Sequence, residues 1–187
     1  MQEYLDIVDE KGRPTGEIVA REVAHSQGIW HHTAHVWLVR YHKGKLQVLL
    51  QKRSLDKDSF PGCYDISSAG HIPAGVDYLP SALRELEEEL GLKVKAEQLV
   101  FCGDRKIVYD GSFHGRPYHD RQYSRVFLLW CDCDESSFIV QTEEIESVRW
   151  FDFAECLERT EKNTFQHCLE MEELLLVKKT AEFNDKI

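Results

Sequence analysis

Ser81 to Gly91 read SALRELEEELG, with Glu85, Glu87, Glu88 and Glu89 crowded among leucines. On a helix of about 100° per residue with Leu79 at zero, Ala82, Leu83, Leu86 and Leu90 fall within about 60° of that line, an apolar stripe facing the core. Glu85, Glu88 and Glu89 fall between about 180° and 280°, on a different face, while Glu87 lies apart at about 80°. Arg84, at about 140°, sits beside Glu88, where it can orient a neighbouring carboxylate. Gly91 is a natural C-terminal stop. Like charges three or four residues apart repel. The repulsion is relieved either by water on an open face or by a cation. Three carboxylates on one rigid face form a hard, oxygen-only ligand set, which suits Mg²⁺ or Mn²⁺ bridging to phosphate oxygens. Spacing alone leaves both readings open.

The chain of 187 residues suits one domain over residues 1–187, and 42% hydrophobic with 30% charged residues is ordinary for a globular protein. A net charge of -10 repels phosphate backbones, so neither nucleic acid nor an anionic membrane is an expected partner. A small phosphorylated ligand stays open if a metal or a local basic cluster receives it. No apolar run approaches spanning length, and MQEYLDIVDEKGRPTGE has no basic start followed by an apolar stretch. The six cysteines are scattered without a CxxC pair, which reads as reduced thiols and a cytoplasmic location; Cys131 and Cys133 are too tight and solitary for a zinc site.

Tyr4–Val8 reads as a strand ending in the turn Lys11-Gly12-Arg13-Pro14, and His35–Val39 with Leu46–Leu50 as a hairpin about Lys43-Gly44-Lys45. Asp58 to Gly75 reads as loop-rich and Leu79 to Leu90 as helix. Leu99–Val108 and Tyr123–Trp130 read as strands joined by a polar loop, and Ser147–Phe151 as a last strand. Helices follow around Phe153–Arg159 and Thr164–Lys178. Irregular alternation with hairpins predicts an α/β fold with a mixed sheet and packed helices.

Gly70-His71-Ile72-Pro73-Ala74-Gly75 through Arg84-Glu85-Leu86-Glu87-Glu88-Glu89-Leu90-Gly91-Leu92 resembles the Nudix box, Gx5Ex7REUxEExGU, where U is a bulky aliphatic. Gly70, Arg84, Glu85, Leu86, Glu88, Glu89, Gly91 and Leu92 match in register; the early Glu of the pattern is Val76 here, with Asp77 next to it. The resemblance implies the Nudix α/β/α sandwich with a mixed sheet, the box being a loop–helix–loop. The flanking Gln51-Lys52-Arg53-Ser54-Leu55-Asp56-Lys57 and Ser59-Phe60-Pro61-Gly62 look like the branch containing isopentenyl-diphosphate isomerase. The run Asp65-Ile66-Ser67-Ser68-Ala69-Gly70-His71 is closer to hydrolase-type members of that branch. The resemblance covers about Tyr4 to Trp150.

The isomerase moves protons with a Cys and a Glu; those places hold Ala69 and Gln122 here, neither able to do so. The resemblance therefore implies hydrolysis of a nucleoside diphosphate linked to another moiety, or of a similar small organic diphosphate, with a prenyl-diphosphate isomerase or a non-catalytic diphosphate-binding module as the alternatives. Metal would be held by Glu85, Glu88, Glu89 and the Gly70 main chain, with Arg84, Glu85 and Glu88 as catalytic residues and Glu88 the base; Glu143 or Glu144 is the alternative base. Arg53 and Lys57 match the branch's diphosphate-contacting pair. His25, His31, His32 and His71, with Asp120, stand near the places of the branch's second, histidine-built metal site. Trp30, Phe60 and Tyr64 could stack on a base or cover a prenyl chain, or be core aromatics. A homodimer is the assembly that the superfamily implies.

Overall fold

The computed structural model describes residues 2–184. A β-hairpin of β1 (Tyr4–Val8) and β2 (Pro14–Ala20) leads into the short helix α1 (Arg21–Gln27). Then come β3 (His31–His42), β4 (Lys45–Arg53), β5 (Tyr64–Asp65), β6 (Ser68–His71) and α2 (Tyr78–Leu90). A long hairpin of β7 (Leu99–Phe113) and β8 (Arg116–Trp130) follows, then β9 (Ile145–Asp152), α3 (Phe153–Glu161) and α4 (Met171–Asn184). Among the described residues, no helix is long and apolar enough to cross a membrane.

The main sheet runs β5-β4-β3-β8-β7, with β6 on β3 and β9 on β4. Pairing is antiparallel except between β3 and β8, which run parallel from His31↔Gln122 to Val39↔Trp130. The mixed sheet expected from the sequence is present. Because strand side chains alternate, β3 serves two cores. Ala34, Val36 and Leu38 pack with Ala82, Leu86 and Leu90 of α2. Trp37 and Val39 pack with Phe153 of α3 and with Leu174, Val177 and Ala181 of α4. A helix layer on each face makes the α/β/α sandwich.

β3 and β4 pair directly only from Val39↔Val48 to the turn. Beyond that point β6 takes over the edge of β3, and β5 pairs with β4. The two central strands are thus forked, and backbone from 64 to 71 fills the fork. This places Ala69 and Gly70 beside α2.

Several expectations shift. The expected loop between the strands at Leu99–Val108 and Tyr123–Trp130 is mostly strand, narrowing to a tip at His114 (φ 51) and Gly115 (φ 73). Its alternating half-exposed pattern needs no apolar run, which is why its composition reads as loop. The last helix begins at Met171 rather than Thr164, since His167 bridges to Tyr64 in an extended segment. β2 and α1 carry no clear period over 7 residues each. Within α2 the buried face is turned away from Leu79, 38% exposed, toward Glu89, 7% exposed.

Candidate active site

A cavity of about 380 Å³ opens at the fork and draws on both layers and on the β7–β8 hairpin. One wall is α2. Arg84 donates from Nη1 to Glu88 Oε2 at 2.9 Å and from Nη2 to Glu85 Oε1 at 2.5 Å, so one guanidinium fixes two carboxylates. Glu89 is buried, and its Oε2 accepts from the Ala69 N–H at 3.2 Å. Burial pushes Glu85 up to about 7, against the opposing pull of Arg84, and Glu89 up to about 8, against hydrogen bonds from Ser68 and Ala69. A Cβ on Gly70 would lie 2.2 Å from Glu85 Cδ. Glycine is required there so that the β6 backbone can meet the carboxylate.

These donors fit a hard divalent cation. All are oxygens, and the buried Glu89 and the largely buried Glu85 favour their neutral forms until a positive charge offsets their burial. The loop after β8 closes the same wall: Ile139 and Gln141 donate from their N–H groups to Leu90 O and Glu89 O at 3.1 Å each, bringing Gln141 and Glu144 to the cavity. Glu143 does not line it. Lys57 pairs with Glu144. Arg53 lines the cavity, but its donors go to Ser59 O at 2.8 and 3.1 Å and to Asp65 Oδ2 at 2.9 Å. That makes it the brace of the 54–63 loop as well as a cation facing the site.

At the edge of the cavity, His25 from α1, His31 from β3 and His71 from β6 converge, with one ligand atom of each within 4.8 Å of the others. His25 Nε2 is 3.3 Å from His71 Nε2. Asp120 Oδ1 lies 3.6 Å from His25 Nε2 and 3.8 Å from His31 Nε2. Among the described residues, His31 Nε2 and Asp120 Oδ1 are buried without a hydrogen-bond partner. His31 donates from Nδ1 to Ile29 O at 2.8 Å, which leaves its Nε2 lone pair free. Burial lowers His31 to about 4 and His71 well below its ordinary value, so both rings are neutral near pH 7. Neutral imidazoles with a carboxylate, one nitrogen orphaned, form a set that fits a borderline cation such as Zn²⁺ or Mn²⁺. His32 is not part of it: it projects from the other face of β3, bonds Gly12 O at 2.9 Å and packs on Tyr78.

Of the aromatics named from sequence, Phe60 lines the cavity, 4.9 Å from Tyr109 and 4.7 Å from Phe113. Trp30 packs instead on Tyr123, and Tyr64 on Phe151 and Phe165. Sequence reasoning passed over Tyr109 and Tyr118 of the long hairpin, Arg21 of α1, and the cavity floor of Thr33, His35, Trp37 and Glu173. A signal for the floor existed: Thr33 and His35 are polar residues on either side of Ala34, just before the apolar run Val36–Val39 of the same strand.

Residues 30–171 match the family model for the NUDIX domain. The chain belongs to the Nudix family. It is 37% identical over 159 residues to Nudix hydrolase 3 of Arabidopsis thaliana, a match covering 82% of this chain and 20% of that protein. It therefore spans about a fifth of that relative's length. An uncharacterized Nudix hydrolase of Clostridium acetobutylicum is 35% identical over 144 residues, covering 77% of this chain and 67% of the relative. In fold, a Deinococcus radiodurans protein of known crystal structure superposes with TM-score 0.67 at 20% identity, covering 93% of this chain and 97% of that one. The NUDIX domain of Shewanella oneidensis NrtR, cocrystallised with ADP ribose, superposes with TM-score 0.55 at 17% identity, covering 82% and 87%. Nudix hydrolases act in general on nucleoside diphosphate derivatives and use divalent metals.

Proposed function

We propose that this Nudix chain hydrolyses a diphosphate that links a nucleoside, or a similarly small organic group, to a second moiety. The observation that carries the reading is the buried Glu89 and the largely buried Glu85 facing one cavity with the more exposed Glu88 and the Arg84 brace. Glu85, Glu88, Glu89 and the Gly70 carbonyl would hold Mg²⁺ or Mn²⁺. When bound, such a cation lowers the pKa of water and neutralises charge on phosphate. The chain's own residues do the rest. Glu88 accepts the proton of the water whose oxygen attacks phosphorus as the bridging P–O bond breaks. Arg84 keeps that carboxylate aimed, and Lys57 and Arg53 face the departing phosphate oxygens.

Within the family we place the chain beside isopentenyl-diphosphate isomerase as a hydrolase-type member, residues 1–187 acting as one domain. Two features support this. The cluster of His25, His31 and His71 with Asp120 would hold a second cation. At the places where the isomerase needs proton-transfer groups stand Ala69 and Gln122, the latter donating from Nε2 to Asp120 Oδ2 at 2.7 Å and accepting from Thr33 at 3.1 Å. A neutral amide so tied neither takes nor gives a proton.

The test is release of phosphate or a monophosphate with Mg²⁺ from ADP-ribose, NADH, CDP-alcohols, nucleoside triphosphates and isopentenyl diphosphate, with Glu88→Gln as the blank. Turnover lost in the variant is expected. Isomerisation of isopentenyl diphosphate without hydrolysis of any other member would overturn the reading. Metal analysis after chelation and reloading is expected to give less bound cation in His31→Ala than in wild type.

A further inference from the structure

The floor of the cavity holds an ion pair that the box chemistry leaves unused. His35 and Glu173 are 5% and 1% exposed, yet both line the cavity. His35 donates from Nδ1 to Glu173 Oε1 at 2.9 Å, and Trp37 donates from Nε1 to the same oxygen at 2.7 Å. Burial alone would discharge both groups; instead Glu173 holds His35 above its ordinary pKa, and His35 holds Glu173 below its own. The ring is therefore oriented by a helix that packs behind it, and it holds a proton more tightly than a free imidazole does. Glu173 lies past residue 171, where the family match ends.

With Nδ1 committed, Nε2 is the ring's remaining polar atom. Among the described residues its partner is Thr33 Oγ1 at a long 3.4 Å. That hydroxyl is already engaged, 2.6 Å from Ser124 Oγ and donating to Gln122 Oε1 at 3.1 Å. His35 pairs across the sheet with Ala69, whose N–H binds Glu89. Cross-strand partners lie about 5 Å apart at Cβ. This nitrogen is thus one strand away from the carboxylate wall, where the group joined to a bound diphosphate would rest.

We propose that His35, oriented by Glu173, forms with Thr33 a specificity subsite that takes a hydroxyl oxygen of the group joined to the diphosphate and so selects hydroxylated substituents over alkyl chains. This rests on the diphosphate reading above. A methylene laid against Nε2 offers this buried ring nitrogen no hydrogen bond, and polar sites reject such analogues strongly.

The test compares two probes that differ only in that group: ADP-ribose and the n-pentyl ester of ADP. Dissociation constants are measured by calorimetry with Mg²⁺ in the Glu88→Gln background, where turnover does not interfere. ADP-ribose is expected to bind about 10- to 100-fold more tightly. His35→Phe is expected to erase the preference by weakening ADP-ribose while leaving the pentyl ester unchanged or tighter. Thr33→Val erodes it in part, and His35→Gln, which keeps an N–H donor, retains part of it. Thermal melts check folding, and His35→Gln and Thr33→Val carry the test if His35→Phe is unfolded. Absence of a preference for ADP-ribose, or a preference undiminished in the folded variants, overturns the subsite. Failure of the wild-type chain to hydrolyse ADP-ribose would count against the hydrolase reading but not against these binding ratios.

Discussion

Replacing Glu89 by Gln stabilises the metal-free protein, and the gain grows with pH. The unfolded carboxyl titrates at 4.5, while burial chiefly holds the folded one at about 8. Between these values the folded chain keeps a proton that the unfolded chain has lost, so the wild type loses about 1.36 kcal/mol per pH unit relative to a residue that cannot ionise. From pH 5 to pH 7 the linkage integrates to about 2.5 kcal/mol, or roughly 5–10 °C in Tm for a chain of this length. The difference between variant and parent is the quantity to measure. In either protein alone, His31, lowered to about 4, and His71 push the opposite way, because buried neutral imidazoles favour folding more as pH rises toward 6.5. The assay is urea unfolding of both proteins in EDTA at pH 5, 6, 7 and 8. Saturating Mg²⁺ then reverses the order, since ligand that binds only the folded parent stabilises it by mass action. A difference that stays flat with pH, or survives Mg²⁺ unchanged, would refute the account of Glu89 as a strained ligand.

Glu88→Gln lowers kcat by about 10²- to 10⁴-fold with an unchanged circular dichroism spectrum; Glu144→Gln, whose carboxylate is already tied to Lys57, lowers it by less than about 10-fold. Parity between these two would move the base to Glu144. Gly70→Ala forces Glu85 aside, since the new methyl would lie 2.2 Å from its Cδ, and kcat/KM falls while the chain still folds; full activity would refute the close approach. Leu86→Ala, at a fully buried position on the inner face of α2, costs about 2–5 kcal/mol in urea unfolding; a loss below about 1 kcal/mol would mean that the α2 core is loosely packed.

The box helix was legible because its leucines repeat at helical spacing and its charges fall outside that stripe. What the spacing could not show is that Glu89 faces inward: this depends on the bare backbone at Ala69 and Gly70, a tertiary contact. The histidines were visible as residue types, but the choice among them was not. His31 and His32 are neighbours on a strand, so one must face the cavity and the other away. Reading β3 as starting at His35 rather than His31 left no alternation with which to decide. The floor was missed for a related reason. Glu173 reaches His35 across a sequence separation of 138, and no local period encodes that meeting. Arg53 and Lys57 were found as cations, yet their carboxylate partners Asp65 and Glu144 belong to β5 and to a later loop, so their bracing role was invisible.

The parallel pairing of β3 with β8 also dictates when the site can exist. Thr33 and Ser124, bonded to each other at 2.6 Å, are 91 residues apart, and every antiparallel hairpin of the sheet closes over a shorter loop. Pairings that close long loops bear the largest entropy and tend to form late. His31, His35, Asp120 and Gln122 come into register only through that pairing. The β3–β4 and β7–β8 hairpins can assemble first and remain chemically silent. In a refolding time course, secondary structure therefore recovers before substrate turnover, with the interval between them set by the long-range closures of β3 on β8 and of β4 on β9.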